Sequence, residues 1–149
     1  MPASSLEMTS ERVYRITLAA LNGLVGLTAS GGGVAILIGA DRFPIEWLDG
    51  SPFQSYVVPA LILALVVGGS ALAAAAAAII GARTGALASF VAGAILMGWI
   101  AGEVVILKQP DAPTWIECLY FIAGAVIAAL ALLLQRRLRS AEATESPTA

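Results

Sequence analysis

Four long apolar stretches, near residues 16–40, 57–81, 85–107 and 115–134, set lipid as the solvent of this chain. A helix rises about 1.5 Å per residue, so about 20 apolar residues cross a hydrocarbon core about 30 Å thick. Each stretch reaches that length. Short links at 81–85 and 108–114 force neighbouring helices to run in opposite directions. The expected fold is an all-α integral membrane protein, a four-helix antiparallel transmembrane bundle (up-down-up-down). It forms a single four-span membrane domain over 1–149. The tails, 1–10 and 140–149, are small, polar and acidic, and read as disordered.

The rest of the composition removes whole classes of function. Charged residues make up 12% of the chain, about half the share in a soluble domain, so no separate soluble domain is expected. A net charge of −2 without a basic, aromatic-interleaved run argues against nucleic acid as a partner. There is no histidine and one cysteine, Cys118. That excludes an internal disulfide, histidine-held haem, imidazole–thiolate zinc sites and histidine-dependent triads. The chain is read as not an enzyme, with no cofactor and no metal.

Arg12 and Arg15 precede the first stretch, as in a signal peptide. Its apolar run is far longer than the ~7–15 residues of a signal h-region, so retention as an uncleaved span is expected. Arg12, Arg15, Arg83, Arg136, Arg137 and Arg139 fall on the side of the termini, and only Arg42 and Lys108 on the other. Positive charge marks the cytoplasmic side. The expectation is a multi-pass protein of the cell (inner) membrane with both termini cytoplasmic. Asp41, Glu46, Asp49, Glu103, Asp111 and Glu117 gather at or near the outer side.

Lipid gives helices no hydrophobic reason to associate, so small residues mark their contacts. Gly23, Gly26, Ser30 and Gly33 form one small face on the first span. The third carries Gly85, Ser89 and Gly93 on one face and Ala94, Gly98 and Gly102 on another. All are read as helix-packing positions, with the two faces of the third span meeting two neighbours in the chain or, alternatively, a partner subunit. Gly31-Gly32-Gly33 is read as a close helix crossing, against the alternative of a broken helix that frees backbone groups for an ion. In the first outer loop, Pro44 followed by Ile45, Trp47 and Leu48 reads as a short interfacial helix, and Asp49-Gly50-Ser51-Pro52 as a turn.

Glu103 is the sharpest single feature, a carboxyl group inside the third stretch. Trp99 lies one turn earlier on the same face. Glu117 stands one turn into the fourth stretch at a similar depth, with Trp115 and Tyr120 nearby. Two carboxyl groups in a low-dielectric site cannot both ionise freely, so a proton or a cation would sit between them. Glu103 and Glu117 are the candidate ligands and Trp99, Trp115 and Tyr120 the walls. The competing expectation is a structural ion pair of Glu103 with Arg42 or Lys108.

Four short spans with one membrane carboxylate resemble, in architecture, the small multidrug resistance transporters. Those carry their essential glutamate in the middle of the first span, where this chain has none, so no residue is carried over. The pattern also looks like that of many small four-span bacterial proteins. Two functions follow. The first is a non-enzymatic accessory, assembly or interaction subunit, whose partners are the lipid bilayer and other membrane subunits or itself. The alternative is a small oligomeric proton- or cation-coupled transporter or channel using Glu103 and Glu117.

Overall fold

The computed structural model describes residues 3–110 and 112–145. It is all-helical, with no strand among the described residues. Helix α1 spans Ala3–Leu37. A 3-10 turn at Ile45–Leu48 follows. Helix α2 spans Val57–Ile80, α3 spans Ala82–Ile106 and α4 spans Trp115–Glu145. All four long helices hold a segment long and apolar enough to cross a membrane: Met8–Leu37, Val57–Ile80, Ala82–Ile106 and Trp115–Ala143.

The helices begin and end where local chemistry allows. Gly39, with φ +73°, stops α1 three residues short of the expected boundary at 40. The amide of Ala40 donates to Ala35 O and that of Gly39 to Ile36 O, the paired bonds that close a helix through a left-handed glycine. The tails depart from expectation. Helix covers 3–10 and 140–145, while residues 1–2 and 146–149, like Asp111, lie outside the described residues. Side chains join these extensions: Arg137 Nη1 donates to Ser10 Oγ at 2.7 Å and stacks over Tyr14, and Arg83 pairs with Glu142 at 3.3 Å.

Glycine sets how closely the helices approach. A Cβ on Gly33 would stand 2.6 Å from Ala60 O, and one on Gly26 2.9 Å from the amide of Leu72. Gly23 makes only ordinary contact with Ala75. Gly93 in α3 faces Gly124 and Ala128 of α4, and Gly85 faces Ala78 of α2 across the tight Gly81 turn. Between α1 and α3, fully buried Asn22 donates from Nδ2 to Ser89 Oγ at 3.0 Å. A buried amide needs such a partner, and in lipid an interhelical bond of this kind is worth about 0.6–2 kcal/mol.

The glycine triplet does not break α1, which runs unbroken through Gly31, Gly32 and Gly33. The irregular backbone lies across the contact instead. Residues Ile62–Gly68 of α2 form a π-helical segment. Ser30 Oγ donates to Ala64 O within it at 3.2 Å, and Gly33 lets the two backbones touch there. A π segment widens the helix locally and re-aims the side chains before it.

Large apolar side chains cover the outside: Leu65 is 69% and Val105 84% exposed. At one end of the bundle the loop folds over itself. Phe43 packs on Trp47 and Tyr56, Tyr56 donates to Pro44 O at 2.8 Å, and the Lys108 amide donates to Trp47 O at 2.9 Å. That last bond ties the 3-10 turn to the end of α3.

Candidate functional site

Beneath that loop lies a cavity of about 360 Å³ between α2 and α3. Phe53 and Pro59 line it from the loop and the first turn of α2, and Ile62 and Val66 from the π segment. Trp99 and Glu103 line it from α3. Nearly all of the lining is apolar, with one carboxyl group at its edge. Four residues separate Trp99 from Glu103, which sets both on one face of α3.

The polar side chains of the cavity are Trp99 and Glu103. The Trp99 Nε1 atom is buried and without a hydrogen-bond partner. Its indole N–H interacts with the Glu103 carboxyl group, at a geometry short of a regular hydrogen bond. The ion pair expected of Glu103 does not form. The two ion pairs among the described residues are Arg15–Glu11 and Arg83–Glu142. Arg42 instead donates from Nε to Gly39 O at 3.1 Å, and the Lys108 side chain lies over Gly50. The charge of Glu103 reaches Tyr56 outside the span: burial first, then Glu46 and Glu103, push the Tyr56 hydroxyl above its ordinary value.

The remaining predicted site residues divide. Glu117 is buried, 7% exposed, and near enough to Glu103 for their charges to interact. Its Oε2, however, accepts from both the amide and the hydroxyl of Thr114, while its own amide donates to Thr114 Oγ1. This is a capping box at the start of α4. Thr114-Trp115-Ile116-Glu117 carried that signal in plain sequence, and reading Glu117 as a ligand passed over it. Trp115 is 74% exposed, and Tyr120 packs against the helical core; neither lines the cavity.

Gly98 and Gly102 meet no neighbouring helix among the described residues of this chain. Both were expected to pack against a helix, but a Cβ on either would meet nothing within 4 Å. They line the cavity instead. Phe53, Pro59, Ile62 and Val66 were missed. Pro59 and the Ser51-Pro52 turn mark where the chain re-enters the bundle, but no local pattern in Ile62–Gly68 announces a π segment.

Chemically, an apolar cavity edged by one uncompensated carboxyl group can exchange a proton or hold a cation. Among the described residues no three of His, Cys, Asp or Glu gather into a metal-binding group. No family model, no curated protein and no solved structure matches the chain.

Proposed function

We propose that this chain is a non-enzymatic, multi-pass protein of the cell membrane that binds a proton or cation beside Glu103, as a small oligomeric transporter or channel. The termini and the arginines face the cytoplasm, and the Glu103 cavity opens toward the outside. The four long helices form an antiparallel bundle. Support for that arrangement comes from contacts that run in reverse order, Gly26 on Leu72 and Gly33 on Ala60. The Ile45–Leu48 turn rests at the membrane interface, with Glu46 and Asp49 exposed beside it.

One observation carries the reading: Glu103 stands at an apolar cavity without a counter-charge. A carboxyl group within a span costs of order 2.5–3.5 kcal/mol at the bilayer centre and less toward the interface, and such residues mark ion and proton paths. Glu103 alone is the ligand in this proposal, because Glu117 is held by Thr114. The test is flux in vesicles containing purified protein and an internal pH dye. Wild type should dissipate an imposed proton or monovalent-cation gradient, and Glu103→Gln should slow this at least tenfold. Equal rates in both, or no flux above empty vesicles, would overturn the proposal.

A second reading, the accessory or interaction subunit, has its own support. Ala94 and Gly98 are exposed, and Gly98 has no neighbour within 4 Å. That face of α3 has the shape a partner helix packs on. A chain that leaves native membranes always bound to one other protein, and shows no flux, would favour this second reading.

A further inference from the structure

A second hollow, of about 900 Å³, lies at the opposite end of the bundle between α1 and the end of α2. Met8, Ile16, Ala19, Ala20 and Ile79 make its walls apolar, and Glu11, Arg12 and Arg15 stand at its rim. The two arginines there differ. Arg15 donates from Nε to Ala78 O at 3.0 Å and from Nη2 to Ile79 O at 2.6 Å. It thereby satisfies carbonyls that the end of α2 leaves without helical partners. Its Nη1 also lies 3.8 Å from Glu11, so the one acid among the described lining residues is already answered. Arg12 is exposed and makes no hydrogen bond or ion pair among the described residues, which leaves one net positive charge at the rim.

We propose that this groove holds one anionic phospholipid of the surrounding bilayer, its phosphate on Arg12 and one acyl chain lying along α1. The level fits. Ile79 is one residue before α2 ends, so the groove mouth falls where a spanning α2 meets the headgroups, and the apolar walls extend from there along α1. The charge fits as well, because Arg12 makes no ion pair among the described residues while the groove walls are apolar. Arg137, in contrast, is engaged by Ser10 and Tyr14. A soluble anion would use the rim and leave the apolar walls empty; a phospholipid uses both. This site is independent of the Glu103 cavity.

The experiment is native mass spectrometry of the full chain released from mixed micelles holding phosphatidylglycerol and phosphatidylcholine in equal amounts. Wild type should retain phosphatidylglycerol at least fivefold over phosphatidylcholine. Arg12→Gln should bring the ratio near one, while Arg139→Gln, an exposed arginine outside the groove, should leave it unchanged. Arg12 makes no hydrogen bond or ion pair among the described residues, so its variant should fold as wild type does. Ala20→Leu, on an exposed position of the groove wall, should lower retention of both lipids. No preference in wild type would overturn the proposal. Equal losses in Arg12→Gln and Arg139→Gln would replace it with diffuse surface charge. Displacement of the lipid by millimolar inorganic phosphate would show a phosphate site rather than a lipid one.

Discussion

Gly93 and Gly98 sit five residues apart on α3, and the helix treats them in opposite ways. At Gly93, the backbone of α4 comes so close that a Cβ would stand 2.7 Å from Gly124 O and 3.1 Å from the Ala128 amide. At Gly98 the same missing side chain faces open space. The acids of the two regions divide in the same way. Glu117, on the sealed side, is held by Thr114; Glu103, on the open side, has the Trp99 indole beside it and no ion pair among the described residues. Small residues at helical spacing therefore permit a close approach but do not produce one. The neighbouring backbone must also arrive. Beside Gly98, a cavity lined by Ile62, Val66 and Val67 of the π segment takes the place of a contact.

The hardest test of this contrast is Gly93→Leu. Both obstructing atoms belong to the backbone of α4, so neither can rotate aside. Forced overpacking of a tight core costs about 1–3 kcal/mol and sometimes more; the backbone contact puts Gly93→Leu at the upper end. Loss of folded protein on titration with a denaturing detergent would measure it. A near-wild-type midpoint would mean that α3 and α4 are not sealed together at this point.

A smaller effect should follow at the polar end of the same seam. Thr114→Ala removes the hydroxyl that both accepts from the Glu117 amide and donates to its carboxyl group. Loss of a threonine N-cap costs about 1 kcal/mol. The double variant with Glu117→Ala should cost little more than either single one, because the two side chains act as one unit. Additive losses would show that Glu117 has work beyond the cap, and would return it to the neighbourhood of Glu103.

How much of this was legible in the sequence depends on how far apart the interacting residues lie. The four spans were plain because twenty apolar residues in a row are a local fact. Spacing alone defines a helix face, and Gly26, Gly33 and Gly93 each lie where a Cβ would stand under 3 Å from a neighbouring helix. The capping box is also local, four residues long from Thr114 to Glu117. Gly98 and Gly102 could not be told from Gly93 by spacing; what separates them is the course of another helix. The π segment lacked any signal, being shaped across an interface where Ser30 bonds to Ala64 O. The lack of an ion pair at Glu103 was hidden too, because Arg42 turns back to Gly39 and Lys108 toward Gly50 only once the loop has folded.

The smallest expected effect is the most discriminating. Gly98→Ala adds one methyl group to a helix that has room for it. Alanine in place of glycine favours a helix by up to about 1 kcal/mol in water, so the detergent midpoint should stay level or rise slightly. The methyl group enters the cavity that Gly98 lines beside Trp99 and Glu103, so any activity centred there should fall while stability does not. If stability fell as it does for Gly93→Leu, α2 would lie closer to α3 than the cavity allows, and the contrast between the sealed and open sides would vanish. If stability held and flux also held, the cavity would be a passive gap and Glu103 would have to act elsewhere. Only the open arrangement separates the two readouts in this direction.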